Sequence, residues 1–163
     1  MTTIPYVILY TDGSALGNPG PGGYGAVLMM DEHRKELSGG YRLTTNNRME
    51  ILGVIKGLEI LQEQCHVELY SDSQYVINAI TKGWAKKWRA KGWMRNKRDK
   101  ALNPDLWEQL LALVGKHDVA FNWVRGHTGV EENERADRLA VGAAQSSGLA
   151  VDEGYEAVNG RVV

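Results

Sequence analysis

At 163 residues, with 43% apolar side chains and neither a repeat nor a low-complexity tract, the chain has the make-up of one compact domain with a real core. Cys65 is the single cysteine, which excludes an internal disulfide; with no apolar run near membrane-span length and no basic, apolar leader at Met1–Pro5, a cytoplasmic protein with no membrane attachment is expected. Net charge is −1 but unevenly spread: residues 82–100 hold nine Lys or Arg against the one acid Asp99, a net +8 that leaves −9 for the rest, the balance of a metal-dependent enzyme acting on a polyanion.

Tyr6–Thr11 (YVILYT) predicts a strand that is apolar on both faces and so central in its sheet. Gly13–Gly25 reads as a loop rich in Gly and Pro, overlapping the start of a second strand at Tyr24–Met30; a third follows at Lys35–Leu43 after a turn at Asp31–Arg34. Ile51, Leu52, Ile55, Leu58 and Leu61 recur at helical spacing and predict a helix from Arg48 to Gln62. A strand at Val67–Ser71, preceded by that whole helix, favours a parallel crossover beside the first strand. Helices are predicted at Ser73–Ile80, Trp84–Lys91 and Asp105–Gly115, then a fifth strand at Val119–Val124. A last helix runs over Glu131–Ser146, capped by Thr128 with Glu131 three residues on. Residues 1–147 make up the expected domain, and 148–163, where periodicity is lost, the expected tail. The order predicts an α/β fold, a mixed five-stranded sheet flanked by helices.

Four carboxylates stand at the ends of these elements. Asp12 lies in YTDGS, Glu50 in TTNNRME, Asp72 in YSDSQ and Asp137 in ERAD. Tyr6, Ile8, Tyr10 and Asp12 share one face, so Asp12 is expected to continue a buried face past the end of its strand. Asp72 follows the fourth strand in the same way. Two parallel neighbours ending in aspartates put both at the carboxyl edge of the sheet, where such folds hold ligands. Glu50 falls in the first turn of the intervening helix, and Asp137 flanks the stripe Ala136, Leu139, Ala140, Ala143, whose small residues let a helix approach the sheet closely.

Each acid alone has a plainer reading. Asp12-Gly13 is a common turn pair, Asn47 with Glu50 fits a capping box, Asp72 suits the cap of the next helix, and Asp137 suits a solvated helix face. Jointly these fail, because like charges converging on one edge repel unless cations lie among them. Oxygen ligands without a cysteine pair or an HExxH histidine pair point to Mg²⁺ or Mn²⁺ rather than zinc. The Gly-rich run at Gly17–Gly23 contains two prolines and feeds a strand, not the helix that a dinucleotide fingerprint needs, so no nucleotide cofactor is expected.

The motifs YTDGSALGNPGPGGYGAV, TTNNRMEILGVIKGLE, SDSQYVINAI, NPDLWEQL and WVRGHTGVEENERADRLA, in that order, resemble bacterial ribonuclease H type 1 from about residue 5 to 157. The resemblance implies a ribonuclease H-like fold and an endonuclease that cuts the RNA strand of RNA–DNA hybrids, leaving 3′-hydroxyl and 5′-phosphate ends. It implies that Asp12, Glu50, Asp72 and Asp137 bind two Mg²⁺ ions, with Mn²⁺ as a substitute, that straddle the scissile phosphate. His127 is implied to assist proton transfer or product release, for which imidazole has a suitable pKa range. Outside the resemblance, His127 reads as a loop histidine, and His33, His66 and His117 read as surface residues.

Asn18, Asn46 and Gln74 match family positions that read the RNA strand in the minor groove of the hybrid, and Asn47 one on the DNA side; amides offer both donor and acceptor. Residues 82–103 resemble the family's basic protrusion. Lys86 and Lys87 then meet DNA phosphates, Trp84 and Trp107 are expected to be partly exposed against DNA sugars, and Trp88 is expected to face the core. Thr45 and Asn103 match a DNA-phosphate pocket, where the family commonly carries an arginine two residues before Thr45. This chain has Leu43 there, with Arg42 one place earlier on the opposite strand face, which predicts looser hybrid binding. Alternatives are another polynucleotidyl transferase of the same fold, which would lack TTNNRME and the protrusion, and a non-catalytic hybrid-binding module, which would have lost a metal ligand. A monomer is expected.

Overall fold

A computed structural model describes residues 3–126 and 129–159. Strands β1 (Tyr6–Ala15), β2 (Gly20–Met30) and β3 (His33–Thr44) form an antiparallel meander, and helix α1 (Asn46–Glu59) then crosses back so that β4 (His66–Ser71) pairs parallel with β1. Helices α2 (Gln74–Thr81), α3 (Trp84–Ala90) and α4 (Pro104–Lys116) lead to β5 (Asp118–Trp123), parallel to β4, followed by α5 (Glu131–Ala144) and α6 (Glu153–Asn159). The sheet order β3-β2-β1-β4-β5 is the mixed five-stranded α/β arrangement expected from the element order.

The core lies between the sheet and α1. Val7 and Leu9 of β1 with Val67 and Leu69 of β4 meet Ile51, Val54, Ile55 and Leu58, and Trp107 and Leu110 of α4 close the layer. The opposite face is covered by α5, which packs against β1, β2 and β3.

Two sequence expectations are corrected here. The segment 13–25 is mostly sheet: Asp12, Gly13, Ser14 and Ala15 pair with Gly25, Tyr24, Gly23 and Gly22. Its glycines answer a need for close approach. A Cβ at Gly23 would come within 2.8 Å of Ala143 Cβ, and one at Gly25 within 2.8 Å of Leu139 Cβ, so side chains there would push α5 off the sheet. Asp12 therefore lies inside β1, and not on its most buried face. Val7, Leu9 and Thr11 are buried under α1, whereas Tyr6, Ile8 and Tyr10 are exposed or half-buried, because α5 leaves the other face partly open.

Helix starts follow local chemistry. Thr45 caps α1, its hydroxyl accepting from Arg48 N–H at 3.2 Å, so the Asn47–Glu50 capping box does not form. Ser73, not Asp72, caps α2 by accepting from Val76 N–H at 3.2 Å. Thr128, the expected cap of α5, lies outside the described residues. Beyond Ser147 the chain docks: Ala150 exchanges backbone hydrogen bonds with Gly40 and Arg42 along β3 before α6 begins.

Candidate active site

Three carboxylates from three elements converge at the carboxyl edge of the parallel pair. Asp12 is carried by β1 and accepts from Gly13 N–H at 2.8 Å. Glu50 comes from the first turn of α1, which reaches β1 because Gly13 has no Cβ to meet the Met49–Glu50 backbone. Asp72 follows β4. The Trp123 indole N–H donates to its backbone carbonyl at 3.1 Å, and Gly126 passes so close that a Cβ would lie 2.6 Å from Asp72 Oδ2. Each of the three acids offers an oxygen within 4.8 Å of the others. Asp137, on α5 next to the buried Ala136, lies near enough to Asp12 to help raise its pKa, outside that mutual cluster.

The electrostatics are those of a site short of positive charge. Burial, then the charge of Asp72 and the carboxyl of Asp137, push Asp12 up to about 8, against the pull of the Gly13 N–H. Burial, followed by the charges of Asp12 and Asp72, raises Glu50 well above the usual carboxylate range. Glu50 Oε2 is buried and has no hydrogen-bond partner among the described residues. An unsatisfied buried oxygen amid repelling acids fits a divalent cation, and hard oxygen donors are the ligands Mg²⁺ and Mn²⁺ take.

The polar residues singled out in the sequence fall into two groups. Asn18 Oδ1 accepts from Asn46 N–H at 3.1 Å, which ties the β1–β2 connection to the start of α1, where Thr45 and the exposed Asn47 also lie. Asn103, in a left-handed conformation (φ 61°) before α4, accepts from Arg48 Nη1 and donates to the Tyr75 hydroxyl, each at 3.3 Å. Arg48 thus joins Thr45 and Asn103. Gln74 is exposed at the start of α2. His127 lies outside the described residues, between Gly126 and the positive-φ Gly129.

On α3, Lys86 and Lys87 are exposed, and Trp84 is 36% exposed with Lys82 Nζ 5.4 Å from its ring centroid. Trp88 is half-buried, as expected of a core-facing position. Trp107 is corrected: it is fully buried, donates to the Tyr75 hydroxyl at 3.2 Å and packs edge-on against Trp88. It shares the α4 stripe with Leu106, Leu110 and Leu111, so helical spacing places it inward. His117 is half-buried, its Nδ1 accepting from Cys65 N–H at 3.0 Å, so it is more than a surface residue.

Arg48 and Asp152 were not legible as a pair. Arg48 is 3% exposed and bonds both Asp105 and Asp152. The available signals were a cation in the first turn of a helix, where the dipole opposes it, and an aspartate placed to cap α6.

The sheet order, the crossover and the acid cluster define an α/β fold with three carboxylates gathered where a divalent cation would fit. The RNase H family model matches residues 5–145. The ribonuclease H of Syntrophus aciditrophicus is 67% identical over 149 residues, covering 91% of this chain and 86% of that protein. Ribonuclease HI of Synechocystis sp. is 59% identical over 150 residues, covering 91% and 94%. The crystal structure of LC9-RNase H1, a type 1 RNase H with the type 2 active-site motif, superposes with a TM-score of 0.79 at 35% identity, covering 99% of this chain and 84% of that one. The chain belongs to the RNase H family, whose members are metal-dependent nucleases. No helix among the described residues is long and apolar enough to cross a membrane.

Proposed function

We propose that the chain hydrolyses the RNA strand of RNA–DNA hybrids at the carboxylate cluster, leaving 3′-hydroxyl and 5′-phosphate ends. Asp12, Glu50, Asp72 and Asp137 would hold two Mg²⁺ ions, or Mn²⁺ in their place. The observation that carries this reading is the cluster itself, three acids within 4.8 Å around a buried, unpartnered Glu50 oxygen. When bound, the ions supply positive charge to the phosphate oxygens and lower the pKa of water at the site.

The chain's own residues supply position. Asn18 and Asn46, already joined, present amides to the minor groove with Gln74, where an RNA strand shows its 2′-hydroxyls; Asn47 faces the DNA side. Thr45 and Asn103 receive a DNA phosphate. Trp84 offers a ring for a DNA sugar, and Lys86 and Lys87 meet phosphates, while the buried Trp107 serves by backing the protrusion. His127, which lies outside the described residues, moves a proton or helps product leave. The reading extends to a monomer in the cytoplasm with residues 1–147 as its catalytic unit, since Asp12, Glu50 and Asp72 gather without a second copy of the chain.

Asp72→Asn tests the site. Cleavage of a hybrid duplex is expected to fall below detection while hybrid binding persists. Retained cleavage would contradict the assignment.

A further inference from the structure

Asp152, from the segment after α5, closes a clasp on the turn that opens α1. Its Oδ2 accepts from the Thr44 hydroxyl at 2.6 Å and from Arg48 Nε at 2.8 Å. Its Oδ1 accepts from Arg48 Nη2 at 3.0 Å and from Tyr155 N–H at 3.2 Å. Thr44 and Arg48 bracket Thr45, Asn46 and Asn47. The far edge of the same guanidinium bonds Asp105 at 2.9 and 2.7 Å and Asn103 Oδ1 at 3.3 Å. Arg48, Thr44 and Asp152 are 3%, 0% and 7% exposed. One buried side chain therefore joins the C-terminal segment, the first turn of α1 and the start of α4. Gly154 lets the segment approach, since a Cβ there would lie 2.7 Å from Arg48 Nη2.

Net stability alone is a weak account of this arrangement. A buried ion pair returns little beyond its own desolvation, and a cation in the first turn of a helix opposes the dipole. What a guanidinium held on two edges by two carboxylates does supply is fixed geometry, because its planar fork admits few orientations. That geometry reaches Asn103, whose amide is aligned by Arg48 on one side and the Tyr75 hydroxyl on the other. It also reaches Thr45, whose hydroxyl accepts the Arg48 backbone N–H.

We propose that Asp152 is a positioning residue for the substrate: through Thr44 and Arg48 it holds Thr45 and Asn103 in register for one phosphate of the hybrid's DNA strand, so the docked C-terminal segment sets hybrid affinity and not the rate of chemistry. The inference rests on the reading that Thr45 and Asn103 contact the hybrid. Leu43 sharpens the dependence. It brings no charge to the pocket, and Arg42, one place earlier, falls on the other face of the strand and pairs with Glu156 at 2.9 and 2.7 Å, so the pocket relies on the alignment of its neutral groups.

The test compares KM, kcat and Tm on a defined hybrid duplex for the wild-type chain, Asp152→Asn, Thr44→Val and Glu156→Gln. Asp152→Asn keeps the shape and removes the charge. Thr44→Val removes only the 2.6 Å bond at near-constant volume, and reads the clasp even where Asp152→Asn folds poorly. Glu156→Gln weakens the α6 anchor on Arg42 and keeps the side-chain bonds among Asp152, Thr44 and Arg48. The expected result is KM raised about tenfold by Asp152→Asn and about threefold by Thr44→Val, with kcat within about twofold, the size of one or two lost hydrogen bonds. Glu156→Gln should lower Tm and leave KM unchanged. An unaltered KM in Thr44→Val and in folded Asp152→Asn overturns the proposal, as does an equal rise in Glu156→Gln, which would make the effect one of stability. A wild-type chain that does not cut the hybrid overturns the underlying reading and the proposal with it.

Discussion

Gly13 and Glu50 meet where β1 passes beneath the first turn of α1, so closely that a Cβ on Gly13 would overlap the Glu50 amide nitrogen and the Met49 carbonyl carbon. Asp12 is the next residue along the strand. The missing Cβ is thus what brings two of the clustered carboxylates, one from a strand and one from a helix, within reach of a shared ion. Gly13→Ala should force α1 away, costing about 1–3 kcal/mol as overpacked sites do, and should abolish cleavage. Urea denaturation and a hybrid-cleavage assay check both, and an active Gly13→Ala enzyme would show that the approach is dispensable.

The acid cluster makes stability depend on pH and metal. The Asp12 carboxyl lies at about 8 in the folded chain against an ordinary value of 3.8, so the folded chain keeps a proton that the unfolded chain releases. Stability from this group is fully present below the unfolded value and is lost as pH rises through the folded one. In EDTA, Tm should therefore fall between about pH 4 and pH 8, and Asp12→Asn should flatten that fall. Millimolar Mg²⁺ should raise Tm, and more at the upper end of the range, by binding the native state. A Tm indifferent to Mg²⁺ would argue against a clustered site.

The two tryptophans expected to face DNA should behave differently. Trp107 is fully buried and bonded to Tyr75, so Trp107→Ala should cost about 3–5 kcal/mol. Trp84 is 36% exposed, so Trp84→Ala should raise KM and leave the denaturation midpoint nearly in place. Urea titrations beside steady-state kinetics separate the two, and equal destabilisation would contradict the assignment.

By the resemblance an arginine would stand where this chain has Leu43, and Arg42 is paired with Glu156. Leu43→Arg should therefore lower KM for the hybrid with little change in kcat. An unchanged KM would show that the pocket does not need the charge.

Asp12, Glu50 and Asp72 are legible because the periodicity of β1, α1 and β4 is plain, which sets the three acids on one edge even though Asp12 lies inside its strand. The run from Gly13 to Gly25 is not, because glycine marks a turn and a close approach alike, and only the packing of α5 on Gly23 and Gly25 decides between them. Trp107 lies inward, as the helical spacing of its stripe with Leu106, Leu110 and Leu111 requires, whereas the resemblance implies a DNA-contacting position. Asp152 and Arg48 lie 104 residues apart, and no local pattern links an acid in an aperiodic segment to a cation in a distant helix.

Hybrid-specific hydrolysis is read on matched end-labelled duplexes: RNA–DNA, RNA–RNA and DNA–DNA with Mg²⁺, and RNA–DNA with EDTA. Cutting of the RNA strand in the hybrid alone, only with metal and leaving 5′-phosphate ends, is the expected result. Cutting of DNA–DNA, or binding of the hybrid without cleavage in Mg²⁺, would contradict it.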